Sequence, residues 1–437
     1  METSAVDRRL CQEVWEQAQS RRDDLARLLA ELIRIPSPSC QEQRVAARIQ
    51  EAMGEAGFEQ IRIDGLGSVI GRIGSGPHSI AMDAHIDTVE MGNRADWTFG
   101  PFEGRIADGR VWGRGAADQK GGMAALIVAG AIIKEMGLAE DCTLHVTGTV
   151  MEEDCDGLCW QYLIREEGLR PEVCVITEPT ACRVYRGQRG RMEIEIEVRG
   201  RSAHASAPER GKNAIYRMAE LVKGIERLAP QLPADAFLGK GSIAVTHFLG
   251  QGPSLCAIPD VARAHLDRRL TWGETRDSVM EGIRSMLGQF PWAAEPDAVQ
   301  MRVKRYERAA YTGTIYPTEA VFPAWTVASD HRAVRAARTT FQTLASVSDS
   351  FSVPDSAAAS DSHDPGEGER WVFSTNGVAI CGLHGIPCIG FGPGYEAQAH
   401  APDEFCPIDH LVKAAAFYAC FPHAYAQTES QASGRLE

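Results

Sequence analysis

The chain has 437 residues, with 45 Lys and Arg against 59 Asp and Glu and a formal charge of −14. That length exceeds one ordinary core and predicts two domains, one inserted in the other. The acidic balance argues against a nucleic-acid or anionic-membrane surface, which leaves a small molecule as the partner. The twelve cysteines are scattered in apolar runs such as 173–176 and 379–389, a pattern of reduced, buried thiols in a cytoplasmic protein. Residues 1–22 carry charges every few positions and do not form a signal peptide, and no apolar run reaches membrane-spanning length.

Residues 8–35 repeat apolar positions at helical spacing (Leu25, Leu28, Leu29, Leu32, Ile33) and stop at Pro36 and Pro38; a second helix is expected at 41–56. Strand-like runs follow at 61–63, 68–73 and 79–85. Reading Ile80 to Asp87 as a strand puts His85 and Asp87, two apart, on one face, as a metal ligand and its orienting carboxylate require. Gly113 to Gly122 is a Gly-rich turn bearing Asp118. It lacks the Gly-Lys-Ser/Thr ending of a phosphate loop, and a carboxylate bridging two cations fits it better. A buried helix is expected at 121–136 and a strand at 141–150. Glu152 and Glu153 end that strand, where pleating aims neighbours to opposite sides, so one can coordinate metal while the other activates water. Glu178 follows another apolar strand, with Pro179 keeping it extended. This part reads as an α/β sheet with packed helices.

Near Val184 the pattern changes. Met192, Ile194, Ile196 and Val198 alternate with Glu193, Glu195 and Glu197, the mark of a strand with one face in water. A helix at 213–228, strands at 242–248 and 262–270, a helix at 275–287 and a strand at 298–306 complete a β-α-β-β-α-β order, the ferredoxin-like unit. The α/β character returns after about 308, with short apolar runs at 378–392 and a helix at 409–420. The expected organisation is therefore a catalytic domain in two segments, 1–185 and 308–437, with 186–307 inserted between them. Residues 346–369, rich in Ser, Asp, Pro and Gly, read as a mobile surface loop.

His85, Asp118, Glu152, Glu153, Glu178 and the late His400 supply oxygen and imidazole donors without a cysteine. Such a set suits two hydrolytic cations, zinc first, with cobalt or manganese possible, better than a structural zinc cage. Singly, each residue would equally be a solvated acid or a structural histidine. A thiol hydrolase using Cys155 or Cys159 is disfavoured, because neighbouring carboxylates suppress the thiolate.

The ordered segments 84–89, 113–122, Glu152-Glu153, Glu178-Pro179-Thr180 and His400 resemble the motifs of the M20 metallopeptidase family over about residues 25–420. That family includes acetylornithine deacetylase, succinyl-diaminopimelate desuccinylase, aminoacylase, carboxypeptidases and dipeptidases. The resemblance implies a zinc-peptidase-like three-layer catalytic domain with a ferredoxin-like α+β lid that also forms a homodimer. It implies that His85, Asp118 and Glu178 hold one metal, and that Asp118, Glu153 and His400 hold the other. Glu152 falls on the general base and Asp87 on the carboxylate orienting His85. His204 falls on a lid histidine that stabilises the oxyanion, in its own or a partner's site. Arg269, in Asp267-Arg268-Arg269, would bind a substrate carboxylate, though without the resemblance Arg268 and Arg269 read as a strand-end charge pair; Asn213 is a second lid candidate that an N-cap explains equally well. The stretch Ser374-Thr375-Asn376-Gly377 departs from many relatives, which have Asp there; Asn376 is assigned to substrate binding. With Met151 to Gly157 it resembles a branch of selenium-metabolism-linked hydrolases. The implied reaction is metal-dependent hydrolysis of an amide in an N-acyl amino acid or small peptide. Dipeptidase or carboxypeptidase action, or a metal-dependent binding protein without catalysis, are the alternatives.

Overall fold

A computed structural model describes residues 7–348, 351 and 369–428. The expected first helix is two, Arg8–Ser20 and Arg22–Ile33. Residues 19–24 bury nothing fully, so no apolar contact holds a continuous helix there, and the chain turns at Arg21 (φ −99°, ψ 15°). Helix Lys120–Met136 is buried nearly all round, as an internal helix must be. Gly137, at φ 68°, ends it in the left-handed conformation that glycine adopts without a steric penalty.

The main sheet is mixed. Its order is Glu59–Ile63, Val69–Ile73, Cys142–Thr149, His78–His85, Val173–Ile176, Cys388–Gly390, Tyr185–Gln188 and Trp325–Thr326, with Glu369–Trp371 also paired to Tyr185–Gln188. Three central strands, Cys142–Thr149, His78–His85 and Val173–Ile176, run parallel. The helices at 8–20, 22–33, 120–136, 332–347 and 408–427 pack together on one face. A Cβ on Gly148 would touch Met123 of that layer. Its neighbours Thr147 and Thr149 point to the opposite face, where they hydrogen-bond Asp83. Helix Leu158–Arg165 and the turn Val378–Leu383 pack against each other. This is the three-layer α/β arrangement, and its parallel strands end together at His85, Thr149 and Ile176.

The inserted sheet has the order Ser242–Gln251, Val261–Leu270, Gly190–Arg199, Val299–Val303, with helices Ala214–Leu228 and Arg276–Leu287 between its strands. Met192, Ile194, Ile196 and Val198 meet both helices in a separate core. The crossing points differ from the expected 186 and 307. Tyr185–Gln188 belongs to the main sheet, and Val321–Phe322 still pairs with the lid strand at Met192 and Arg191. Between 305 and 319 the chain makes an excursion from the lid in a short hairpin before returning to it at Val321, and Tyr311 and Thr314 bond the Gly67 and Gly65 carbonyls of the catalytic layer. Each piece is two residues long, too short to show a period in the sequence. Nearly all of 346–369 lies outside the described residues; helix Arg332–Val347 runs into its start.

Candidate metal centre

The site forms at the ends of the parallel strands, where open α/β sheets place their crevices. Strand His78–His85 stops at His85, so the shared-face argument for Asp87 is corrected. Asp87 lies in the turn that follows, where its backbone carbonyl is 3.0 Å from His85 Nδ1 and its carboxylate 3.5 Å away. The carboxylate instead accepts from Ser39 Oγ at 2.7 Å and from the N–H groups of Glu152 and Glu153, each at 3.1 Å. Asp87 thus orients the imidazole through its carbonyl and pins the turn that carries both glutamates.

His85 Nε2 is 2.9 Å from Asp118 Oδ1, 3.5 Å from Glu178 Oε1 and 3.9 Å from Glu152 Oε2. His400 Nε2 is 3.3 Å from Asp118 Oδ2 and 2.9 Å from Glu153 Oε2. The ligand atoms of His85, Asp118 and Glu178 lie within 4.8 Å of one another, as do those of Asp118, Glu153 and His400. Asp118 is common to both triads and offers one oxygen to each. Burial drives the Glu178 and Glu152 carboxyls well above their ordinary range, aided for Glu178 by the adjacent Asp118. Glu153 is raised by burial and then by Asp118. Burial also works against the Asp118 carboxylate, but hydrogen bonds from His400 and His85 outweigh it and hold that group below its usual range. His400 is pushed up to about 10 by its bonds to Asp118 and Glu153. Glu152 Oε1 is buried with no hydrogen-bond partner. Crowded carboxylates short of donors, facing imidazoles and no thiol, fit hard or borderline divalent cations.

Several residues without a sequence signal support this cluster. Glu404 is fully buried and accepts from Arg114 Nη1 at 2.7 Å and from the N–H groups of Gly115, Ala117 and Asp118 at 3.0, 2.8 and 3.1 Å. It therefore fixes the turn that presents Asp118. Lys120, also fully buried, donates to the Leu32 and Ile35 carbonyls. Glu42 accepts from the N–H of Met151 at 3.0 Å. Met151 and His400, flanking the site, both have φ of 61°, a conformation that strains a non-glycine residue by about 1–3 kcal/mol.

The remaining expected contacts are placed differently. Asn376 is 1% exposed. Its Nδ2 donates to Asp83 Oδ2 and Thr149 Oγ1, and its Oδ1 accepts from Gly157 N and Cys159 Sγ. Every polar direction is taken up inside the core, which corrects its assignment to substrate. Asn213 caps helix Ala214–Leu228, its oxygen accepting from Ile215 N and Tyr216 N, so the cap accounts for it. Arg269 pairs with Asp267 at 2.8 and 3.1 Å. His204 is exposed on the lid and its Nδ1 meets Ser206; its hydrogen bonds stay within the lid and do not reach the triads. Cys155 and Cys159 are buried and burial raises both thiols, which disfavours a thiol nucleophile. All twelve cysteines are free.

Fold and site together define a metal-dependent hydrolase acting on carbon–nitrogen bonds. The chain belongs to peptidase family M20/M25/M40, whose profile matches residues 81–424. It is 47% identical over 416 residues to the uncharacterized protein YgeY of Escherichia coli (strain K12), covering 95% of this chain and 98% of YgeY. A succinyl-diaminopimelate desuccinylase of Cereibacter sphaeroides (strain ATCC 17023) is 31% identical over 260 residues, 56% of this chain and 67% of that enzyme. Among solved structures, the Bacillus subtilis YXEP protein, a dinuclear metal binding peptidase of the M20 family, superposes with a TM-score of 0.67 at 15% identity, over 94% of this chain and 100% of that one. Among the described residues no helix is long and apolar enough to cross a membrane.

Proposed function

We propose that the chain hydrolyses the amide bond of an N-acyl amino acid or small peptide, using His85, Asp118 and Glu178 for one cation and Asp118, Glu153 and His400 for the other. The observation that carries this reading is the pair of triads sharing Asp118 beside Glu152, whose buried Oε1 has no partner. When bound, two divalent cations, zinc first and cobalt or manganese in its place, acidify a water and polarise the scissile carbonyl. Glu152 takes the proton of the attacking water and returns it to the departing amine. His204, brought in from the lid of the same or a partner subunit, donates to the developing oxyanion, a kind of contact worth about 100- to 1000-fold in turnover. Arg269 releases Asp267 and takes the substrate carboxylate in its planar fork. The name of the Cereibacter relative favours an acyl amino acid.

The reading further takes the enzyme as a cytoplasmic homodimer joined through the lid. In its favour, strand Ser242–Gln251 ends the lid sheet with Phe248 and Leu249 43% and 49% exposed. The test is a panel of N-acetyl, N-succinyl and N-carbamoyl amino acids and dipeptides with zinc, cobalt or manganese. Glu152→Gln should keep both cations and lose turnover, and Asp118→Ala should lose metal. Retained turnover in Glu152→Gln, or two cations in Asp118→Ala, would reject the roles.

A further inference from the structure

The turn from Glu152 to Gly157 carries two carboxylates, Asp154 and Asp156, that no step of the proposed chemistry uses. Neither belongs to a triad, yet both are engaged by the two connections between lid and catalytic layer. On the outgoing connection, Tyr306 Oη donates to Asp154 Oδ2 at 2.8 Å and Arg308 pairs with the same oxygen. On the incoming one, Arg191, second residue of the lid's first strand, lies 3.4 Å from Asp156 Oδ1; the other oxygen, Oδ2, accepts from Ser374 Oγ of the second catalytic segment. Arg191 is itself seated on the lid: its guanidinium stacks over Phe322 at 4.8 Å and lies 3.7 Å from Glu193.

The ends of the turn are held from the catalytic side. Asp87 binds the Glu152 and Glu153 N–H groups. Asn376 binds that of Gly157, whose φ of 71° and Cβ space, 2.7 Å from Ala379, admit only glycine. Both lid connections grip the middle. Arg191 sits on the lid's first strand, whereas Tyr306 packs on the catalytic core with its Oη also 3.6 Å from Cys40 Sγ, so the segment immediately after Glu152 is held between a lid residue and the hairpin that leads out of the lid.

We propose that Asp154 and Asp156 are positioning residues that tie the base-bearing turn to the two lid connections, so that Glu152 is aligned when the lid is seated. This rests on Glu152 acting as base. A displacement of about 1 Å at a reacting group can cost on the order of 100-fold in rate. Arg308 is 57% exposed, so solvent screens its pairing with Asp154 and that contact contributes little as mere surface pairing; the Arg191–Asp156 pair is largely buried, at 19% and 8% exposure.

The test compares Tyr306→Phe/Arg308→Gln, Arg191→Gln, Arg191→Lys and Asp154→Asn in the metal-loaded full chain, using the best N-acyl amino acid of the panel above. The lid-side variants should keep two cations and their Tm, lose about tenfold in kcat with KM within twofold, and speed amide exchange across 151–157. Asp154→Asn added to Tyr306→Phe/Arg308→Gln should bring no further loss, and Arg191→Lys should regain part of the rate. Unchanged kcat, or losses that multiply independently, would overturn the coupling. Unchanged exchange in 151–157 rejects it even where Glu152→Gln has shown some other group to be the base.

Discussion

His410 illustrates how burial sets the acid limit of this fold one residue at a time. It is 4% exposed, its Nδ1 accepts the Gly394 N–H at 3.2 Å, and burial, helped by Lys413, lowers its pKa to about 4. Because the folded chain binds this proton less readily than the unfolded one, the contribution is complete above the ordinary value of 6.5 and is lost as pH falls towards 4. Chemical denaturation should show up to about 3 kcal/mol of this loss. His410→Asn, which keeps an acceptor for Gly394 but cannot protonate, should flatten the stability profile between pH 6.5 and 4 relative to wild type; parallel profiles would contradict it. His410 gives no sequence signal for this, and neither do Asp83, Glu42 or Glu404. A lone acid or imidazole in a sequence says nothing of the distant N–H groups that surround it. His85, Asp118, Glu153 and Glu178 stood out because each follows an apolar strand or lies in a Gly-rich turn, whereas His400 was singled out only by its place in the order of the M20 motifs. Asn376 was misread for the same reason that Asp83 was missed: both belong to one buried network built from strands far apart in the chain.

At the scale of elements, the turn at 113–119 shows how a loop can be as rigid as a strand. Four donors of this turn converge on the two oxygens of Glu404, and the helix that follows is anchored through Lys120 to the carbonyls of Leu32 and Ile35. Glu404→Gln places an amide group against those donors and loosens Asp118 without touching a triad. Zinc affinity should fall about 10- to 100-fold, as for other partners that orient metal ligands, while circular dichroism stays native; calorimetric titration within twofold of wild type would refute this. Most of the long elements were legible from period alone, but helix Arg332–Val347 was not read from it. The break at Arg21 and the hairpin at 305–319 were not, because both depend on what the chain packs against rather than on local pattern.

On the scale of the whole molecule, the outer strand Ser242–Gln251 leaves a row of backbone groups and apolar side chains at the edge of the lid, with Tyr216 of the adjacent helix 72% exposed. An open, apolar edge invites pairing with a second copy. Sedimentation should give twice the chain mass of 47.6 kDa, and Leu249→Glu should halve it; a wild-type monomer at micromolar concentration would remove the dimer. The lid's attachment has one more implication. Gln188 and Trp325, on either side of it, are direct partners in the main sheet. Topologically the whole lid is therefore the loop of an antiparallel hairpin, enlarged from a few residues to a domain. Because its two ends are already neighbours, inserting it adds almost no chain-closure entropy to the folding of the catalytic layer. Substrate choice could thus diversify by exchanging the loop of a hairpin, with the metal-bearing strands left untouched.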